Sequence, residues 1–468
     1  MRKAKIICTI GPASCTKKVV GQLISSGMNA ARLNLSHGTH AEHRKAIDII
    51  RSCAAKKGSP VAILLDLKGL KIRVGSLNNG SVHLKNGSTV ALTSRNIKGD
   101  NKLIPILYNR LARDLKPGDN VFIDDGLLQL KILHNKENGL MAKVIEGGLL
   151  KERKGVNLPG VSISAPTLTK KDIEDIGFGV EAGVDYIAVS FVTTKMDISR
   201  VKHLLKKMGS DIPVIAKIET RQALHNIHEI INVSDGIMIA RGDLGVEVPP
   251  EEVPIIQKQL IDNCNRSGKP VITATQMLES MTEHLNPTRA EAADVANAVI
   301  DGTDALMLSA ETAAGKYPVR SLIMMDKIIR YTEEHRSEFV PVVEHSESFA
   351  HAIAEAACTA AVDVGAKVIV AFSRSGYTSL LVSKFRTHIP IIGFTVKEEV
   401  RRRMNLYHGI RPFKMNFPRS TDEMISESEK RLLEKGIVKK GDSIVIIATS
   451  PFAFGEKTNI MKLHMVGL

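Results

Sequence analysis

Lys217, Glu219 and Asp243 stand in two short segments, Ala216-Lys217-Ile218-Glu219 and Ala240-Arg241-Gly242-Asp243-Leu244-Gly245, each at the end of an apolar run. Carboxylates at two neighbouring strand ends can share one hard divalent cation, since Mg²⁺ is held by one or two carboxylates plus substrate oxygens. Lys217 adds a point charge beside the metal. Gly242 and Gly245 let a ligand approach the backbone closely. Metal, cation and open backbone together suit an anionic substrate that gains charge during reaction.

The elements that must position these residues repeat along the chain. Apolar runs fall at Lys5–Ile10, Asn29–Leu33, Val61–Leu65, Tyr186–Val189, Val214–Ala216, Gly236–Ala240, Val271–Ala274 and Ala305–Leu308. Amphipathic segments of helical period lie between most of them, as from Val253 to Cys264. Eight short strands alternating with helices predict a (β/α)₈ TIM barrel, whose chemistry sits at the C-terminal strand ends. The residues after the runs obey that rule: Arg32 and Asn34, Asp66 and Lys68, Ser190, Lys217 and Glu219, Arg241 and Asp243, Thr275 and Gln276, Ser309 and Glu311. Any one of these is an ordinary strand-end polar residue. Seven strand ends converging on charged or hydroxyl groups is what a site requires.

More than a hundred residues separate the third and fourth runs, too many for one crossover helix. The gap holds Asn79-Gly80 and Asn86-Gly87, turn signals of the hairpin kind, and β-rich runs such as Ser88–Thr93. We read Lys71–Asn157 as a small inserted β-barrel domain, tethered at both ends and able to close over the barrel as a lid. The barrel then comprises residues 1–70 and 158–345. From 346 to 468 strands and helices alternate again, as in an open doubly wound α/β domain. There, Ser373-Arg374-Ser375-Gly376-Tyr377-Thr378 runs from a strand into a helix. It reads equally as a phosphate cradle or as a plain capped βα loop.

Composition excludes several classes. The 468 residues carry a net charge of +14, but no Trp and only 4% aromatics, which is poor material for stacking bases. Dispersed positive charge suits small phosphorylated ligands better than nucleic acid. No stretch approaches the ~18 apolar residues of a membrane span. Five scattered cysteines without a CxxC pair predict reduced thiols and a cytoplasmic setting. Gly177-Phe178-Gly179-Val180-Glu181-Ala182 matches GxGxxA, yet follows a helical segment rather than a strand, so it is no dinucleotide fingerprint. His37, His40 and His43 lack the partner cluster of a zinc site, and His40 and His43 are expected to be solvated or capping.

The chain resembles the pyruvate kinases over essentially its whole length. The resemblance is carried by Lys5–Ser14, Ala31–Gly38, Ile215–Glu219, Ile239–Glu247, Thr273–Leu278, Pro287–Glu291, Asp124-Asp125-Gly126 and Lys154–Gly160, in the family's order. It implies transfer of phosphate from phosphoenolpyruvate to ADP, giving pyruvate and ATP. By that analogy Glu219 and Asp243 hold Mg²⁺, and a second Mg²⁺ arrives with the nucleotide. Lys217 stabilises the phosphoryl group in flight and Arg32 holds the phosphate. Gly242, Asp243 and Thr275 meet the three-carbon substrate. Asn34, His37, Arg73 and Lys154 lie at the nucleotide. Thr275, Ser309 and Glu311 resemble the relay that protonates the enolate. Ser373, Arg374, Ser375, Gly376, Thr378, Lys457 and Thr458 correspond to a site for a phosphorylated allosteric effector. Similar enzymes are homotetramers. Two other readings stay open: a Mg²⁺-dependent carbon–carbon lyase on a similar barrel, and a non-catalytic homologue, the latter at odds with the intact Lys217, Glu219 and Asp243.

One segment departs from the family. Where similar sequences read Leu-Asp-Thr-Lys-Gly-Pro-Glu-Ile-Arg, this chain reads Leu65-Asp66-Leu67-Lys68-Gly69-Leu70-Lys71-Ile72-Arg73. Asn34, Ser36, Asp66 and Leu67 occupy the family's K⁺-ligand positions. A lysine ammonium is a compact point charge, and Lys71 is expected to replace K⁺ and make the ion unnecessary. The alternative is a Lys71 that points to solvent at the hinge.

Overall fold

The structure, a computed structural model, describes residues 2–136, 139–161, 163–335, 348–416, 420–449 and 458–467. Eight parallel strands close a barrel: Lys5–Thr9, Ala30–Asn34, Ala62–Asp66, Tyr186–Val189, Val214–Ile218, Gly236–Ala240, Val271–Ala274 and Ala305–Leu308. Consecutive strands are neighbours, and the first pairs with the eighth, Lys5 against Ala305. Most strand residues are buried, as expected where helices cover the outside and side chains fill the inside. The fifth strand runs further than its apolar run, because Lys217 is itself in the ladder, opposite Met238. Four surrounding helices open with the same reciprocal capping box, at Thr39–Glu42, Thr169–Asp172, Thr194–Asp197 and Thr288–Glu291. Gly177–Ala182 lies within the helix Lys170–Ala182, as its period requires.

Between the third and fourth barrel strands the chain builds a six-stranded sheet and a two-stranded ribbon, together a half-barrel. Its core, which includes Val90, Leu92, Val121, Leu130 and Val144, is a cluster distinct from the barrel's. Neither Asn-Gly turn makes a hairpin. Ser81–Leu84 pairs with the distant Gly148–Lys151, and Thr89–Thr93 pairs with Gly139–Glu146. A turn reverses the chain, but the apolar faces choose the partners. The two arms joining this insertion to the barrel bond to each other: Val156 N donates to Ile72 O (3.0 Å), and Val74 N to Lys154 O (2.9 Å).

The C-terminal sheet has the order Ile410–Lys414, Ile391–Thr395, Val368–Phe372, Ser443–Ala448, Ile460–Met465, with only the last strand antiparallel. The edge strand Ile410–Lys414 was not apparent from sequence, because Pro412 inside it argues against a strand; an edge position tolerates proline. This domain closes the floor of the barrel. Leu406 packs among the inward-facing Ile7, Leu64, Ile215 and Met238. Tyr186 donates its hydroxyl to Arg403 O (2.9 Å), and Lys5 Nζ donates to Ile410 O (2.6 Å). Lys384 and Arg386 both pair with the buried Asp304, at 2.6 and 3.1 Å. Among the described residues no helix is long and apolar enough to cross a membrane.

Candidate active site

At the C-terminal mouth of the barrel, two cations share one carboxylate. Arg32 Nε lies 2.7 Å from Asp66 Oδ2, and Lys217 Nζ lies 3.2 Å from Oδ1. Lys217 also pairs with Glu219 Oε1 (2.9 Å) and donates to Ser190 Oγ (2.7 Å). Burial pulls the Lys217 ammonium towards neutrality, but Asp66 and Glu219 outweigh it and hold its pKa above the ordinary lysine value. Burial likewise pushes Asp66 up, and Lys217 and Arg32 outweigh it, so this carboxyl stays below the usual range. Glu219 goes the other way. Burial raises it, Lys217 opposes, and the charge of Asp243 raises it further.

Asp243 sits on the short helix Arg241–Glu247 that follows the sixth strand. Its Oδ1 pairs with Lys71 Nζ at 3.1 Å. Lys71 therefore points into the site, not to solvent, and its partner is Asp243 rather than Asn34, Ser36 or Asp66. Thr275 accepts a hydrogen bond from Gly242 N (2.8 Å) and is held at φ 67°, with Gln276 at φ 53°. Phe191, at φ 53°, aims its N–H at Glu219 Oε2 (2.6 Å). Left-handed backbone is an outlier for threonine and phenylalanine, and here it orients groups at the mouth. At the eighth strand, Glu311 accepts from Leu278 N (3.0 Å) and Ser309 N (2.6 Å), and burial raises its pKa. The Ser309 hydroxyl is buried with no hydrogen-bond partner.

Three comparisons bear on what this arrangement is. Residues 1–322 match the model of the pyruvate kinase barrel domain, and residues 351–464 that of the pyruvate kinase alpha/beta domain. The chain belongs to the pyruvate kinase family. It is 46% identical to the pyruvate kinase of Sporosarcina psychrophila and 43% identical to that of Staphylococcus aureus (strain MRSA252). Each alignment covers 100% of this chain and 81% of the relative. A crystal structure of a pyruvate kinase from Cryptosporidium parvum superposes with a TM-score of 0.94 at 37% identity, covering 99% of this chain and 96% of that one. Pyruvate kinases are phosphotransferases that use phosphoenolpyruvate and ADP, and the family generally needs Mg²⁺.

The remaining residues expected of a pyruvate kinase fall as follows. Lys154 pairs with Asp124 (2.8 Å), and Arg73 donates to Arg153 O (2.9 Å), so both lie on the arms of the insertion. Asn34 Oδ1 accepts from Ser36 N (3.1 Å), and His37 O contacts the ring of His43 (2.8 Å). The Leu67 side chain is buried in the core outside the barrel, so a hydroxyl lost there changes packing, not an ion pocket. Its carbonyl accepts from Ser190 Oγ (2.7 Å). His40 is not merely solvated: it contacts the buried Asp175 (2.6 Å) and stacks on Phe178. In the C-terminal domain, Thr378 N donates to Ser373 Oγ (3.3 Å). Thr378 and Thr458 are buried with their hydroxyls bonded to each other (2.7 Å), while Arg374 and Ser375 are exposed. Lys457 lies outside the described residues. Sequence reasoning assigned no role to Thr9, whose hydroxyl accepts from Arg32 (3.1 Å).

Proposed function

We propose that Lys217, Arg32, Thr275, Ser309 and Glu311 carry phosphoryl transfer and enolate protonation in this pyruvate kinase. Gly242, Asp243 and Thr275 surround the three-carbon substrate. The observation that supports this best is the buried Lys217 ammonium, kept charged by Asp66 and Glu219 before any substrate arrives. Phosphoryl transfer needs positioning and charge stabilisation, and a preorganised charge avoids reorganisation during reaction. Arg32, steadied by Asp66, takes the phosphate. Ser309 Oγ, without a protein partner, passes the proton towards the enolate carbon while Glu311 fixes its backbone.

Glu219 and Asp243 fit Mg²⁺. Both are hard oxygen donors, and the charge of Asp243 helps raise the Glu219 pKa, a repulsion a divalent cation relieves. Among the described residues no group of three or more candidate ligands gathers, which leaves the other positions to substrate and water. When bound, the ion polarises and orients the anionic substrate. A second Mg²⁺ accompanies the nucleotide, whose phosphates meet Arg73 and Lys154 with Asn34 and His37 nearby. Lys71 supplies a fixed positive charge at Asp243, and the enzyme works without K⁺.

The insertion, Lys71–Asn157, acts as the lid. The Ser373–Thr378 loop binds a phosphorylated effector. It follows Val368–Phe372, where the strand order of the C-terminal sheet reverses, the usual place for a ligand in such sheets. A homotetrameric assembly is proposed from family resemblance, and a cytoplasmic setting from five free thiols.

A coupled assay with phosphoenolpyruvate, ADP and Mg²⁺ tests the reaction. Glu219→Gln and Asp243→Asn are expected to abolish turnover without changing the melting temperature. Near-normal activity in both would overturn the metal assignment.

A further inference from the structure

Two loops at the barrel mouth are tied to the start of one helix. Residues 35–39 lead from the second strand into the helix His40–Lys57, and residues 67–71 lead from the third strand towards the insertion. Lys171 and Asp172, both in the first turn of the helix Lys170–Ala182, take one loop each. Lys171 Nζ donates to Leu35 O (3.3 Å), and Asp172 Oδ1 accepts from Gly69 N (3.1 Å). Leu35 is gripped from its other side as well, because its N–H donates to Asp66 O (3.0 Å).

Asp175 secures the first of these ties. Its side chain is wholly buried, which a carboxylate tolerates only when paired. Oδ2 faces Lys171 Nζ at 2.6 Å, and Oδ1 faces the His40 ring at 2.6 Å. Both partners are half-exposed, so nothing but the carboxylate restricts the long lysine stem on its solvent side. His40 is the first residue of the helix that follows the loop. Its ring also stacks on Phe178, centroids 4.5 Å apart, on the same helix as Asp175. One buried charge therefore holds the loop at both ends, at Leu35 through Lys171 and just after Thr39 through His40. Between these ties lies His37. Asn34 precedes the first, and its Oδ1 accepts from Ser36 N (3.1 Å), so it moves with the loop.

We infer that Asp175 is a positioning residue for the reaction: through Lys171 and His40 it holds residues 35–39 where Asn34 and His37 meet the nucleotide. The inference rests on the proposed nucleotide role of those two residues. It extends the site to a carboxylate on the outer helical layer that touches neither substrate nor metal.

The test uses Asp175→Asn, Lys171→Met, the double variant and Lys171→Arg in the full chain. Asparagine offers one acceptor oxygen and cannot serve both partners. Lys171→Met removes only the ammonium of a half-exposed residue, so it keeps the test open if Asp175→Asn fails to fold. Each of these two variants is expected to raise KM for ADP about 5- to 10-fold with kcat reduced less than about 2-fold, because binding geometry changes while chemistry does not. KM for phosphoenolpyruvate should stay within about 2-fold. Backbone amides of residues 35–39 should exchange hydrogen faster, as in a loosened loop. The double variant should match Asp175→Asn, since both substitutions cut one tie. Lys171→Arg, whose several donors can serve both acceptors, should restore KM for ADP. Additive effects overturn the inference, as does an equal change for both substrates. Unchanged exchange overturns it too, because the loop then needs no tie. Faster exchange with an unchanged KM for ADP reduces Asp175 to a brace of the loop and overturns the nucleotide role of Asn34 and His37.

Discussion

The ammonium of Lys71 lies 3.1 Å from Oδ1 of Asp243, so the first residue of the lid and a proposed metal ligand form one ion pair. Both side chains are about a quarter exposed, at 28% and 26%, so the pair is reachable by solvent and by substrate. Its worth lies less in stability than in where it keeps a positive charge.

Activity without K⁺ is the first expected outcome. In tetramethylammonium buffer at matched ionic strength, added KCl should leave the wild type unchanged within about 2-fold. Lys71→Glu should bring a K⁺ stimulation of about 10-fold or more, because it removes the fixed cation and adds an anion beside Asp243. Leu67→Thr should add little, since that side chain packs in the core. A wild type stimulated 10-fold would show that Lys71 does not replace the ion.

Lys217→Met should lower kcat by at least ~10²-fold, the scale for losing a preorganised transition-state charge. KM for phosphoenolpyruvate should change much less. Steady-state kinetics at saturating Mg²⁺ separates the two, and a change in KM alone would make Lys217 a binding residue only.

Ser373→Asp should abolish activation by a sugar phosphate while sparing basal turnover. A carboxylate can still accept from Thr378 N as Ser373 Oγ does, so the loop keeps its shape while gaining a charge that repels phosphate. Substrate curves measured against a panel of sugar phosphates and nucleotides check it. A wild type that none of them shifts has no such site.

Glu247 makes stability depend on pH in a predictable direction. Burial pushes its carboxyl up to about 7, aided by the charge of Asp243 and opposed by Asn157 and Arg221. The folded state therefore holds this proton where the unfolded chain, titrating near the ordinary glutamate value, has lost it. The resulting stability is full below about pH 4.5 and is lost as pH rises through about 7. Glu247→Gln should flatten that part of the melting-temperature profile. An identical slope in variant and wild type would assign the titration to another group.

The sequence made the barrel readable because each strand is a short apolar run and each strand end is polar. It made Lys217, Glu219 and Asp243 readable because they share two segments. It could not show Asp66 as the anchor of both Arg32 and Lys217, since those three residues come from three strands. Nor could it show that Asn79-Gly80 and Asn86-Gly87 join strands that pair elsewhere. Lys71 illustrates the limit best. Its type gave the expectation of a replaced cation, and only the fold shows that the ammonium meets Asp243.

Leu406 in the barrel interior carries a consequence for the order of synthesis. The eighth strand ends at Leu308, and its pairing with Lys5–Thr9 closes the wall. Leu406 follows roughly a hundred residues later. At about 5–20 residues per second, a nascent barrel can stand complete but floorless on the ribosome for on the order of five to twenty seconds. During that interval Ile7, Leu64 and Met238 face an open hole, and the buried Asp304 lacks both of its cations. Chaperones should therefore engage chains halted between Leu308 and Leu406 and release those that have passed it.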